Sequence, residues 1–338
     1  MSKSTQPAPL VFCGIDVSAA TLIVAVQTQD QPGEQRAFAN TSAGHQALIA
    51  WLSRKGPVRV SLEATGIYSL DLALALDAAD GFQIAVLNPK LVHRFAQTLR
   101  RSKTDVADAL ALAEYSRRMP FVAWQPPPRE ALRLRTLGRH IEALSAERVR
   151  DGNRLHAARG SASTPRCIVQ DLKRSLAVLD RRIKKMRHQA VALIHADAAL
   201  SQRFDLLTSM PGIAEISAVH LLGELASLAP QLSVRQWVAH SGLDPVHQIS
   251  GTSLHRRSRI SRAGSRHLRR ALYMPALVAV RHDPHLKAFY ETLCRRHKAK
   301  LQALIAVARK MLHAIYGIFK TLTPYDGAKL FPNLLPSS

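Results

Sequence analysis

Between residues 11 and 118 the chain switches repeatedly between two hydrophobic periods, and few folds accommodate that alternation. VFCGIDVS (11–18) and TLIVAVQT (21–28) are short, apolar and rich in β-branched residues. The tight turn between them predicts an antiparallel hairpin. EQRAFANT (34–41) reads as a third strand, SAGHQALIAWLSRK (42–55) as a helix and VRVSLEAT (58–65) as a buried strand. IYSLDLALALDAA (67–79) has helical spacing, FQIAVLN (82–88) is strand-like, and helices near 89–100 and 104–118 complete the series. Three antiparallel strands followed by βαβ crossovers predict an α/β unit: a mixed five-stranded sheet with flanking helices.

MPFVAWQPPPRE (119–130) interrupts the pattern and marks a domain boundary. Two long charged helical segments follow, about 129–157 and 167–196, split by ARGSASTPR; they predict a helical hairpin or coiled-coil arm. LLTSMPGIAEISAVHLLGEL (206–225) places a Pro-Gly turn between two helical runs, in the manner of a helix–hairpin–helix whose turn offers N–H groups to phosphate. The remainder reads as mostly helical. The expected domains are residues 1–120, an arm over 121–200, a third domain over 201–325 and a loose tail over 326–338.

Charge divides along the same line. Residues 1–120 carry 12 Lys+Arg against 10 Asp+Glu, whereas residues 121–338 carry 35 against 14. With a net charge of +23 the chain calls for a polyanionic partner, nucleic acid before membrane. No apolar run is long enough to span a bilayer, and MSKSTQPAPL lacks the core of a signal peptide. Three scattered cysteines (Cys13, Cys167, Cys294) form neither a disulfide framework nor a zinc pattern, which fits a reducing cytoplasm.

Four carboxylates stand out. Asp16 and Glu63 each sit at the end of an apolar strand run, where an unpaired charge is costly to bury. Asp105 and Asp108 fall on one face of the helix at 104–118. Taken alone, that pair suits helix capping behind Thr104. Four carboxylates meeting at one point would repel unless a cation joined them, and a divalent ion with oxygen ligands would satisfy them while supplying a phosphoryl-transfer catalyst. The words GIDVS, LEATG and KTDVADALALA resemble those of the insertion-sequence one-ten family of transposases, relatives of the Piv-type DNA invertases, over essentially the whole chain. The resemblance implies an RNase H-like (RuvC-like) catalytic domain in which Asp16, Glu63, Asp105 and Asp108 bind magnesium, or alternatively manganese. Arg100, Arg101 and Lys103, beside the aspartates, would then face phosphate.

The segment HQISGTSLHRRSRISRAGSRHLRR (247–270) contains seven arginines after His255 and no acid. In the strongly basic half of the chain this favours phosphate contact by Arg256, Arg257, Arg259, Arg262 and Arg266. Gly251 and Gly264 would allow turns or close backbone approach. In the family, a Ser-Gly ahead of such a basic segment carries the catalytic serine of a C-terminal transposase domain, so the resemblance assigns Ser250, with Ser253, Ser258 and Ser261 as competitors. It further implies DNA partners at element ends and target, a structured non-coding guide RNA, a dimer or tetramer with composite sites, and nucleoid association when active. The rival functions are a Piv-type invertase, a metal-only RuvC-like nuclease and a non-catalytic nucleic-acid-binding protein. His282 and His285, with Pro284 between them, do not make up a zinc site, and Trp51, Trp124 and Trp237 read as core or interface residues rather than base-stacking platforms.

Overall fold

The computed structural model describes residues 11–28, 33–64, 66, 68–99, 104–250 and 254–331. The chain divides into two compact units, up to Pro126 and from Pro127 onward, so the break falls inside the proline-rich segment.

The first unit contains five strands: β1 (Val11–Val17), β2 (Thr21–Gln27), β3 (Glu34–Ala39), β4 (Val58–Glu63) and β5 (Phe82–Leu87). Their order across the sheet is β3-β2-β1-β4-β5, with β1–β2 and β2–β3 antiparallel and β1–β4 and β4–β5 parallel. Helices α1 (Ser42–Ser53) and α2 (Leu70–Asp77) cover one face, where Cys13, Ile15, Val60 and Leu62 pack with Leu48, Leu52, Leu72 and Leu76. Alternation along a strand puts Gly14, Asp16, Ser61 and Glu63 on the opposite face.

That opposite face is built for a helix. One row across the sheet pairs Ala25 with Gly14, Gly14 with Ser61, and Ser61 with Ala85, all small residues. After α3 (Pro89–Leu99), helix α4 (Asp105–Arg118) packs against β1, β2 and β4, burying Ala109, Leu112 and Ala113. A Cβ on Gly14 would lie 2.0 Å from the carbonyl oxygen of Ala109 and 2.3 Å from the nitrogen of Ala113. Only a glycine lets the helix backbone come this near.

The second unit is mostly helical. α5 (Arg129–Arg159) and α6 (Arg166–His195) form an antiparallel hairpin whose first helix is about 46 Å long. The base of this hairpin shares a core with the helices that follow: Leu134, Ile141 and Ile194 pack with Leu221, Leu222, Leu272 and Met311. Further along the hairpin Leu144, Leu179 and Ile183 form a small separate cluster. α7 (Ala198–Thr208) and α8 (Glu215–Leu225) flank the Pro-Gly turn, in which Gly212 has a φ of +94°. α9 (Val234–Ser241), α10 (Arg266–His282), α11 (Pro284–Arg295), α12 (Lys300–Thr321) and α13 (Gly327–Leu330) complete the helices.

Two expectations need correction. The arginine segment is not helical: β6 (Pro245–Ser250) and β7 (Leu254–Ile260) form an antiparallel hairpin. Its strands, PVHQIS and LHRRSRI, mix apolar with polar and basic residues irregularly, so no apolar alternation announced it. The expected tail is packed up to Phe331, which is buried with Gly327, while Asp326 caps α13 through the N–H of Ala328. The three tryptophans are core residues: Trp51 and Trp237 are buried, and Trp124 packs on the first unit's core. None of the described helices is long and apolar enough to cross a membrane.

Gly14→Ala should destabilise the first unit by about 1–3 kcal/mol, through backbone overlap at Ala109. Gly152→Ala in α5, where an added Cβ meets nothing within 4 Å, should instead stabilise by about 0.5–1 kcal/mol. Urea unfolding curves of the two variants check the pair; equal, small effects would contradict the close packing of α4.

Candidate active site

Asp16 and Glu63 reach the same edge of the sheet through strand register. β1 and β4 run parallel with Ile15 beside Leu62, which sets Asp16 and Glu63 one residue further along, both on the α4 face. The close approach at Gly14 then aligns the helix. Ala109 and Leu112 lie over Gly14, so Asp105 and Asp108, one turn earlier on α4, extend toward the end of β1 that carries Asp16. Thr104 caps the helix by accepting the N–H of Ala107 at 3.1 Å. The two aspartates therefore do occupy a capped first turn, and they also join the carboxylate group.

The electrostatics report that grouping. The Asp16 carboxyl is pushed up to about 6, first by its partial burial and then by the negative charges of Asp105, Asp108 and Glu63. The N–H of Val17 pulls weakly the other way. Charge is felt further away than a shared ligand shell extends, and among the described residues no three His, Cys, Asp or Glu side chains stand close enough to enclose an ion. The donors are all oxygens, the set that suits a hard divalent cation, so they fit magnesium in chemistry. Arg100, Arg101 and Lys103 lie outside the described residues.

A residue absent from the sequence reading ties the ends of the two strands together. Asn40 Nδ2 donates to the carbonyls of Ser18 at 2.8 Å and Tyr68 at 3.1 Å, the segments that follow Asp16 and Glu63. Its Oδ1 accepts from Nε2 of the buried His45 at 2.8 Å, and its own N–H donates to the carbonyl of Ala20. An asparagine leaving a strand looks like any turn residue, so nothing in the sequence distinguished it.

In the second unit Ser250 is the last residue of β6, paired through its backbone with Leu254. Its side chain and those of Arg256 and Arg257 lie outside the described residues, as do Gly251 and Ser253 altogether. Of the competing serines, Ser261 is engaged, its hydroxyl donating to the Asp244 carboxylate. Beyond β7 the chain is held by acids from α5 and α8. The buried Glu224 accepts two hydrogen bonds from Arg139, at 2.7 and 3.1 Å, and one from the Ser265 hydroxyl at 2.9 Å. Burial alone would raise the Glu224 carboxyl, but these bonds outweigh it and hold it low. Glu142 likewise accepts from His267 at 2.6 Å and Arg270 at 2.7 Å. Gly264 is required here, because a Cβ would lie 1.8 Å from the carbonyl oxygen of His240. Arg262 sits in the left-handed region at φ 54°, with its N–H donating to the carbonyl of Gly242. Arg259, Arg262 and Arg266 remain exposed and make no ion pair among the described residues. Glu224 had one visible signal, a lone acid within the apolar run of α8.

The raised Asp16 gives a pH prediction. The folded chain holds this proton more tightly than the unfolded chain does, so stability falls as pH rises from 3.8 to about 6 and stays reduced above that. In chelator, Asp16→Asn should therefore melt a few degrees higher than the parent at pH 8 and equal to it below pH 3.5. A variant that melts lower at pH 8 would contradict the mutual repulsion.

Comparisons with known proteins bear on the family of the chain. A family profile of the IS110-type DEDD proteins, described as Transposase, matches residues 13–158, and a second, described as Transposase IS116/IS110/IS902 family, matches residues 204–291. The pilin gene-inverting protein of Moraxella lacunata is 28% identical over 321 residues, covering 93% of this chain and 97% of that protein. The insertion element IS116 44.8 kDa protein of Streptomyces clavuligerus is 24% identical, covering 92% of this chain and 94% of its own length. The insertion element IS110 43.6 kDa protein of Streptomyces coelicolor is 29% identical over 47% of this chain and 38% of its own. With both profiles in chain order and the relatives spanning nearly its full length, this chain belongs to the IS110 family of transposases.

Proposed function

We propose that the protein is a DNA transposase that cuts and rejoins strands through the Asp16–Glu63–Asp105–Asp108 carboxylates and Ser250. The observation that carries the reading is the placement of Asp16 and Glu63 at neighbouring strand ends under the first turn of α4, where burial first and then the other three acids raise Asp16. The strand order 3-2-1-4-5 is consistent with an RNase H-like, RuvC-type domain, and the Pro-Gly turn between α7 and α8 with a helix–hairpin–helix. Bound magnesium, or manganese in its place, would offset the carboxylate charge and polarise a phosphate oxygen. The acids orient the scissile phosphate, and the exposed Arg259, Arg262 and Arg266, with Arg256 and Arg257, neutralise the flanking backbone. The Ser250 hydroxyl attacks phosphorus. The new Oγ–P bond replaces one P–O(sugar) bond, the hydroxyl proton ends on the departing sugar oxygen, and the ester keeps the bond energy for rejoining. Acids and serine drawn from different protomers, and base pairing through an element-encoded RNA, belong to the same reading.

A second reading, site-specific inversion, is favoured by the length over which the chain matches a pilin gene-inverting protein. Both readings use the same chemistry and differ in the geometry of the recombining sites. A metal-only nuclease would use water as nucleophile and form no adduct.

With a labelled nicked substrate trapped on a denaturing gel, the parent and Ser253→Ala should retain a protein–DNA band that Ser250→Ala and Asp108→Asn lose. Each loss should exceed about a hundredfold in strand exchange while DNA binding persists. An adduct surviving in Ser250→Ala would remove that serine from the role, and cleavage without any adduct would establish the nuclease.

A further inference from the structure

Helix α10 begins where the clamped basic segment ends, and one side of it is left without a partner. Leu268, Leu272, Pro275, Ala276 and Ala279 are buried against the core. The opposite side carries Arg266, Arg270, Arg281 and, between them, Tyr273, Met274 and Val278, exposed to 41%, 55% and 37%. Single exposed apolar residues are ordinary, but three clustered on one helix face mark a contact surface.

The charges on the face indicate what it contacts. α10 contains no acidic residue. Arg270 is engaged by Glu142, whereas Arg266 and Arg281 have no ion pair among the described residues. These two lie about 22 Å apart along the axis and bracket the apolar residues. A protein partner of this basic chain, including a second copy, would meet the arginines with like charge more often than not, whereas a polyanion would not. Cations alone would serve for duplex backbone. An exposed tyrosine with a neighbouring methionine between them matches a strand whose bases are unstacked, because each base offers a π face to an aromatic ring. Of the two nucleic acids, DNA is the one that the proposed strand exchange would unpair.

We propose that the outer face of α10 is a docking strip for unpaired DNA, with Tyr273 as a stacking platform and Arg266 and Arg281 as phosphate contacts. The proposal deepens the transposase reading. Strand exchange must expose a single strand, and this strip would hold it.

The test uses the full chain and fluorescence anisotropy with labelled oligo(dT), the same strand annealed to oligo(dA), and oligo(rU). Tyr273→Ala should weaken oligo(dT) binding about tenfold, Tyr273→Phe should restore it, and duplex affinity should change less than about twofold. Replacing Arg281 with glutamine should reduce the salt slope on oligo(dT) by about 0.7. Equal losses on single strand and duplex, or none, would overturn the proposal, and so would a larger Tyr273 dependence on oligo(rU). A lower sedimentation mass in Tyr273→Ala with unchanged oligo(dT) affinity would make the face a protein interface and end it too. If the parent binds none of the three probes, the transposase reading itself falls. If it binds them and Tyr273 has no effect, only the strip is lost.

Discussion

Helix α4 rests on the sheet with its backbone against Gly14, and the candidate site in the first unit follows from that contact. The row Ala25, Gly14, Ser61 and Ala85 forms a shallow seat because none of these residues has bulk. Seated there, the helix brings Asp105 and Asp108 toward the end of β1, and the parallel register of β1 and β4 has already set Asp16 beside Glu63. A larger residue at position 14 would lift the helix and part the aspartates from the strand acids. The repulsion felt by Asp16 is thus a cost borne by the packing, and it is tolerated because the surrounding sheet is well buried.

The second unit answers the opposite problem, an excess of cations. Glu224 and Glu142 hold the start of α10 through Ser265, His267 and Arg270, and Glu224 also binds Arg139 of α5. These bonds fix the backbone just after the β6–β7 hairpin, so the hairpin bearing Ser250 leaves from a rigid base. Arg269 donates to the carbonyls of Ser241 and Gly264, whereas Arg259, Arg262 and Arg266 are exposed. Removing Arg139 would leave the buried Glu224 carboxylate without its main partner, which is more costly than losing a surface pair. Holding the fold and facing solvent are therefore tasks of different members of one arginine-rich segment.

Periodicity made the first unit readable nearly element by element, because each strand there buries one face and each helix one stripe. The β6–β7 hairpin escaped the same reading because its sequence carries no regular apolar alternation, and residues 326–331 looked like a tail because a four-residue helix has no period to detect. Asn40 gave no signal and Glu224 only a faint one, and in neither case could the role be read. Their partners lie 22 to 85 residues away, and only the folded chain brings them within hydrogen-bond reach.

The local chemistry was set by the residues alone: the carboxylates at strand ends, the acid pair behind Thr104, the Ser-Gly before an arginine segment and the division of charge near residue 120. These depend on neighbours a few positions apart, and local backbone geometry follows from them. Convergence was decided by tertiary structure. Whether Asp16 feels Asp105 depends on a register between parallel strands and on a helix lying close over a glycine, and whether an arginine faces phosphate or a buried glutamate depends on which helix passes beside it. Such relations join residues tens of positions apart, and only packing determines them.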